Sequence, residues 1–495
     1  MVPASDIITS MIDNLTWTAV ALFIIDWIIR IGFIIYIPRK RNPNSAIAWL
    51  LLLFILPGLG ILLFLIIGNP RLSKNRRNMQ RTADKLISNI TDSMKDDIGS
   101  LSEQQKARAR SLISLNRSLA KFPASGGNSV IIQPEYNDSV KDLINEVKKA
   151  KEFVHIEYFI VALDKTTKPL FDAMKEAVDR GVRVRLLFDG MGYRAYPKRK
   201  EMKKLLTEIG VEWHEMLPIK FRPSQYNRPD LRNHRKIVVI DDKYAYIGSL
   251  NMIDRTYHRK DDIYYDELVV KLSGPIVRQC SAVFACDWYF ESGERLQKII
   301  SPKFRKMPKK AGDVVAQLVP SGSGFDNSNN SRLFASLMYK AQSKVVITNP
   351  YFVPNEAMLE AVTSASLRGV DVKIINSMAM DQWMVGHAQR SFYDQLMKAG
   401  VKIYLYKYPK LLHSKHMTID DDIAVIGSSN MDIRSFELNQ ECVVVVYDKK
   451  VVSDLAKVQK QNLSNSKRVD VNEWDRRKLF DKFLDSLARL TSALQ

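Results

Sequence analysis

The chain has 495 residues, with 74 Lys and Arg against 54 Asp and Glu, for a formal net charge of +20. A composition of 46% hydrophobic and 26% charged residues excludes a disordered or low-complexity protein, and at roughly 150 residues per domain the length allows about three units. The charge excess points to a polyanion, either nucleic acid or an anionic membrane surface, and the three cysteines (Cys280, Cys286, Cys442) exclude a disulfide framework and lack zinc-ligand spacing.

Residues 15–37 form a 23-residue apolar run, long enough to cross a hydrocarbon core of roughly 30 Å. Residues 46–67 form a second run of 22 residues without a charge. Only PRKRNPNS joins them, so the sequence predicts a two-helix transmembrane hairpin over 1–70. Asp26 and Arg30 stand at i and i+4 and can neutralise each other. Pro57, Gly58 and Gly60 interrupt the second run, which predicts a kinked or re-entrant segment. Residues 1–14 hold no Lys or Arg, the connecting loop holds three (Arg39, Lys40, Arg41) and residues 71–85 hold six, which places both ends of the hairpin in the cytoplasm. The following basic segment, 71–135, is expected to lie beside the membrane; residues 71–125 carry +7, attracted to anionic head groups by about 1 kcal/mol per basic residue.

From residue 136 strand-like runs alternate with amphipathic helices, and the pattern occurs twice. EFVHIEYFIV, PLFDAMKEAVDRGV and VRVRLLFD in the first half correspond to KVVITNPYFV, EAMLEAVTSASLRGV and DVKIIN in the second. Gly210 stands opposite Gly400, each suited to a helix C-cap before a strand. The sequence therefore predicts an α/β fold in two duplicated halves, 136–300 and 313–462, with a linker at 301–312. A C-terminal amphipathic helix over 463–495, with Phe480, Phe483, Leu484, Leu487 and Leu490 at helical spacing, is expected to pack on the catalytic core rather than lie on the membrane.

Each half ends in H-x-K-x4-D-x6-G-S-x-N. His234, Lys236, Asp241, Gly248, Ser249 and Asn251 form the first copy; His413, Lys415, Asp420, Gly427, Ser428 and Asn430 form the second. In a strand, residues i and i+2 share a face, so each His and Lys should project together, with His416 pointing away. The serines and asparagines are candidate donors to an anionic oxygen. Two such halves make one phosphodiester site. One neutral imidazole attacks phosphorus to give a phosphohistidine, the other protonates the leaving alkoxide, and the lysines neutralise the equatorial oxygens. This chemistry requires neither a metal nor a cofactor. Downstream carboxylates are expected to orient the histidines through their second ring nitrogen: Glu441 in the second half and Asp266 in the first, with Glu267 the lesser candidate.

These residues resemble the phospholipase D superfamily and, within it, the bacterial cardiolipin synthases. RNPNSAIAWLLLLFILPGLGILLFLIIGNPR, NPYFVPNEAMLEAVTSASLRGVDVKII and NMDIRSFELNQE carry that resemblance outside the motifs. Asn349 and Gln440 depart from the family pattern. The resemblance implies phospholipase D-like α/β/α halves forming one site in a multi-pass protein of the bacterial cell membrane. It implies condensation of two phosphatidylglycerol molecules to cardiolipin and glycerol, shared acid/base and nucleophile roles for His234 and His413, phosphate binding by Lys236 and Lys415, and completion of the motifs by Asp241 and Asp420. Each Asp is an odd number of positions from its His, which favours a structural part for it. Phosphatidylglycerol and other anionic lipids are the expected partners; nucleic acid is not, and a homo-oligomer stays open. A hydrolytic phospholipase D or another phosphatidyltransferase, such as a phosphatidylserine synthase, uses the same chemistry. The first half carries about 11 extra residues before its motif, within LPIKFRPSQYNRPDLR, and this basic, aromatic insert is expected to border the site.

Overall fold

Uninterrupted helix-tolerant sequence winds Ala4–Tyr36 into one helix, of which Trp17–Tyr36 is long and apolar enough to cross a membrane. The computed structural model describes residues 4–40, 43–68, 72–91, 94–219, 226–257, 263–296, 306–325 and 327–492. The second apolar run behaves differently. Pro57 has no backbone N–H and disfavours helical geometry at Leu56 (φ −130°, ψ 72°), so the run divides into Pro43–Ile55 and Pro57–Ile67. At 1.5 Å per residue these pieces rise only about 20 and 17 Å. The expected two-helix hairpin is thus supported in part: one membrane-length helix is followed by two short apolar helices, divided at the expected interruption. A Cβ at Gly60 would lie 2.9 Å from the Leu52 carbonyl oxygen, so glycine is what lets the third helix pack against the second. Arg30 pairs with Asp26 at 2.6 Å, as expected, and donates to the Phe54 carbonyl at 3.1 Å, in the last turn of the second helix where helical donors run out. Arg41 of the connecting loop lies outside the described residues.

Met1–Pro70 and Arg71–Gln495 are separate compact units. In the second unit the duplicated sequence gives a duplicated topology. In the first half Phe153–Tyr158 pairs in parallel with Arg183–Asp189, which pairs in parallel with Glu212–Met216. On the other side of Phe153–Tyr158 run the antiparallel strands Ile237–Ile240, Tyr244–Gly248 and Val269–Ser273. Lys344–Thr348, Asp371–Ser377, Lys402–Tyr406, His416–Ile419, Ile423–Gly427 and Glu441–Tyr447 repeat this order in the second half. Ser125–Gln133 and Val314–Ser321 pair with each other at the centre and fuse both halves into one 15-stranded sheet. Parallel strands such as Arg183–Asp189, buried from Val184 onward, are covered by helices on the sheet faces.

Residues 71–135 belong to this fold rather than forming a basic strip beside it. They supply the helices Lys74–Thr91 and Glu103–Ala120, the latter begun by a capping box of Ser102 and Gln105, and the central strand Ser125–Gln133. Their cations make internal pairs: Arg76 with Glu291 at 2.7 Å, and Arg108 with Asp420 and Asp422. Of the linker, residues 301–305 lie outside the described residues. At the C-terminus the single predicted helix is replaced by an edge strand, Ser466–Arg468, and two helices, Val471–Asp475 and Leu479–Arg489.

Candidate active site

In both halves the strand begins immediately after the motif lysine, at Ile237 and at His416. The His and Lys therefore sit in the extended lead-in and not in the strand proper. Each lead-in is zipped onto the other half. Asn233 forms a parallel bridge with Gln440, and the His234 N–H donates to the Gln440 carbonyl at 2.8 Å. Symmetrically, Lys410–Leu412 pairs in parallel with Tyr264–Asp266, and the His413 N–H donates to the Asp266 carbonyl at 2.8 Å. The Gln440 departure from the family pattern thus leaves this contact intact, because it uses only backbone.

This zipping decides which carboxylate meets which imidazole. His234 Nδ1 lies 2.9 Å from Glu441 Oε1, and His413 Nδ1 lies 2.9 Å from Glu267 Oε1. Each histidine is held by the opposite half, and the first-half carboxylate is Glu267, not Asp266. With the Asp266 carbonyl bound to the His413 backbone, alternation along the chain turns the next side chain towards the imidazole. Asp266 instead accepts from the Tyr406 hydroxyl at 2.9 Å. The signal that identifies Glu267 is present in the sequence: E-L-V-V at 267–270 matches E-C-V-V at 441–444.

The serines are corrected as well. Ser249 and Ser428 are fully buried. Ser428 Oγ donates to Glu441 Oε2 at 2.6 Å, joined by Ser435 Oγ on Oε1 at 3.0 Å, and Ser249 hydrogen-bonds to Glu267. They hold the carboxylates rather than reaching for a ligand. Asn251 Oδ1 accepts from the Ile160 N–H at 3.2 Å, and Asn430 donates to Asp432. The motif aspartates lie past the far end of their strands and do not belong among catalytic groups. Asp241 accepts from the backbone N–H groups of Lys151, Glu152 and Phe153 at 2.7–2.9 Å, and Asp420 from Ser343 and Lys344 at 2.8 and 3.0 Å. Each staples the start of the neighbouring antiparallel strand, where orphan donors need an acceptor.

Lys236 Nζ folds back to the His234 carbonyl at 2.8 Å, and Lys415 Nζ does the same at His413, so each ammonium is fixed beside its imidazole. Phe159 presents a ring edge to His234 (centroids 5.2 Å apart) and Tyr265 to His413 (5.1 Å). Asp381, which sequence reasoning missed, accepts from the hydroxyls of Tyr265 and Tyr351. His416 is buried away from the pair, beside Gln459, with its pKa lowered to about 3 by burial. Of the insert before the first motif, residues 220–225 lie outside the described residues; Arg228 and Arg232 are buried in pairs with Asp230 and Asp189.

Burial lowers both motif imidazoles below their ordinary range. For His234 the positive charges of Lys236, Lys415 and His413 add to the shift; for His413, Glu267 partly offsets it. Burial also brings Lys236 down to about 7 and Lys415 to about 8, against the pull of Glu441 and Glu267. Burial pushes Glu441 up to about 8, opposed by Lys236 and the two serine hydroxyls. Burial would raise Glu267 too, but His413 and Lys415 outweigh it and hold it below its usual value. Burial thus favours neutral imidazoles beside two buried lysines, an environment in which an anion would be stabilised.

A family described as cardiolipin synthase, PLD-like domain, matches residues 143–288 and 334–462, and a phospholipase D-nuclease N-terminal family matches residues 18–69. A cardiolipin synthase A of Shigella boydii serotype 4 (strain Sb227) is 30% identical over 490 residues, covering 98% of this chain and 100% of the relative. One from Klebsiella pneumoniae (strain 342) is 30% identical over 482 residues, covering 95% and 99%. Among solved structures, the phosphatidylserine synthase of Haemophilus influenzae Rd KW20 superposes with a TM-score of 0.59 at 14% identity, covering 77% of this chain and 99% of that one, a likeness of fold.

Proposed function

The chain belongs to the cardiolipin synthase family of phospholipase D-like proteins, and we propose that it transfers a phosphatidyl group from one phosphatidylglycerol to another, releasing glycerol. The observation that carries this reading is the convergence of two buried His–Glu pairs, each with its lysine, in a chain similar to cardiolipin synthases over almost its whole length. With Nδ1 engaged by a carboxylate, Nε2 of each imidazole is left to face the substrate. Nε2 of one histidine attacks phosphorus and the P–O bond to the head-group glycerol breaks. The second histidine, as imidazolium, donates its proton to that alkoxide, and glycerol leaves. The same histidine, now neutral, takes the proton from a hydroxyl of the second phosphatidylglycerol, whose oxygen displaces the first histidine to form cardiolipin. Lys236 and Lys415 stabilise the equatorial oxygens, so the site needs no metal. The lipid is reached from a membrane location, with the catalytic unit on the cytoplasmic side as the distribution of Lys and Arg favours; nucleic acid is no part of this reading.

Purified full-length protein given phosphatidylglycerol vesicles and EDTA is expected to release glycerol and form cardiolipin in equal amounts. Phosphatidic acid as the sole product would establish a hydrolase instead, and dependence on added divalent metal would refute the two-lysine account. The pH profile adds an independent check. A lysine whose pKa is depressed carries its charge below that pKa and loses it above. For the free enzyme kcat/KM is therefore expected to fall as pH rises through about 7 to 8, where Lys236 and Lys415 deprotonate, rather than above 10. Initial rates at low substrate between about pH 5 and 10 locate that limb, and Lys236→Arg should move it upward.

A further inference from the structure

The helix Leu479–Arg489 is mounted inside out. Its apolar residues Leu479, Phe480, Phe483 and Leu487, with Leu490 just beyond, are each between 52% and 83% exposed, whereas Asp485 and Ala488 are buried. The inward face is locked by charge. Asp485 lies 2.7 Å from His387 Nδ1 and accepts from Arg477 at 2.7 Å and Arg390 at 3.3 Å, so the helix cannot roll its apolar stripe onto the protein without breaking a buried ionic cluster. Sequence periodicity alone led to the opposite expectation, that this stripe packs on the core.

The neighbouring helix Trp383–Ser391, which receives Asp485, carries exposed apolar residues of its own. Trp383 is 63% exposed beside Met384, and its ring stands 4.3 Å from that of His387, the residue that receives Asp485. Trp383 follows Asp381 by two residues, and Asp381 holds Tyr265, whose ring edge touches His413. Trp383 thus stands two residues along the chain from a carboxylate that supports the His413 side of the candidate site. The surroundings of the helix Leu479–Arg489 are basic: residues 476–490 carry five basic side chains and two acidic ones, and of these Asp485 and its partner Arg477 form the inward pair.

We propose that Leu479–Arg489, with Trp383, is an interfacial docking surface that lies in the plane of an anionic lipid bilayer and sets the His413 side of the site against it. An apolar stripe flanked by Arg and Lys, with a Trp at its margin, has the chemistry of a helix seated at the head-group level. Such a seat lets acyl chains stay in lipid while only the phosphodiester rises to the histidines. The inference extends the proposed function by giving its substrate a route, and rests on that reading only for the lipid nature of the substrate.

The test uses the full chain in phosphatidylglycerol vesicles, with p-benzoylphenylalanine in place of Phe483. Irradiation should yield a protein–phospholipid adduct by mass spectrometry. A crosslink to a second copy of the chain, or no lipid adduct, overturns the proposal, and neither outcome depends on turnover, so a failure of the catalytic reading is told apart. A companion variant, Phe483→Glu with Leu487→Glu, should lower turnover about tenfold on phosphatidylglycerol vesicles and leave it unchanged on monomeric short-chain phosphatidylglycerol. Equal rates on vesicles, or equal losses on both substrates, would overturn it.

Discussion

His234→Ala and His413→Ala are each expected to lower kcat for cardiolipin formation by about 10⁴-fold or more, the scale on which removal of a nucleophile or its acid/base partner acts. Removing both should cost little beyond either alone, because the two imidazoles work as one unit and their losses do not add. Glycerol release from phosphatidylglycerol vesicles measures this directly. The two single variants should part company in one respect. The one that keeps the nucleophile can still form the phosphatidyl-histidine and accumulates it as an acid-labile, label-bearing protein; the one that lacks it cannot. Normal turnover in either variant would refute the shared mechanism.

The second large effect is expected at Glu267. Glu267→Gln keeps the size of the side chain but removes the carboxylate 2.9 Å from His413 Nδ1, leaving the ring free to adopt the wrong tautomer. A loss of about 10² to 10⁴-fold in kcat is expected, the range between a supporting hydrogen bond and a tautomer-fixing aspartate. Asp266→Asn, one residue away, should change kcat by less than about threefold, since Asp266 meets the motif through its backbone carbonyl. A double-mutant cycle gives the sharper result. Glu267 should couple strongly to His413 and weakly to His234, and Glu441 the reverse. Coupling within each half, Glu267 with His234, would refute the crossed arrangement.

What the sequence disclosed and what it withheld divide along a physical line. The repeated H-x-K spacing, the alternation of strands and helices, the Asp26–Arg30 pair and the interruption at Pro57 are all local, and local chemistry suffices to read them. The assignment of the His-orienting carboxylates failed because it depends on pairing between segments about 150 to 200 residues apart, Leu412 with Asp266 and Asn233 with Gln440. A one-residue difference in such pairing exchanges the inward and outward side chains, which is the difference between Glu267 and Asp266. The serines were misjudged for a related reason. Their motif position is close to the site, but their hydroxyls had a nearer acceptor in the carboxylates that no local spacing reveals. The C-terminal helix shows the converse limit: periodicity reports that a helix has two faces and is silent about which one the protein keeps.

The pair of strands at the centre of the sheet and the exchanged His–Glu contacts have a consequence for how the two halves are related. They meet as the subunits of a two-fold dimer do, each lending the other a residue it cannot do without. A chain cut between the halves would yield two pieces, each with a histidine lacking its carboxylate and a carboxylate lacking its histidine. The arrangement is quaternary structure made permanent by a peptide link, and what the link adds is freedom for the two copies to diverge. Asp381 of the second half, which accepts from Tyr265 of the first and Tyr351 of its own, is a further tie across the same seam.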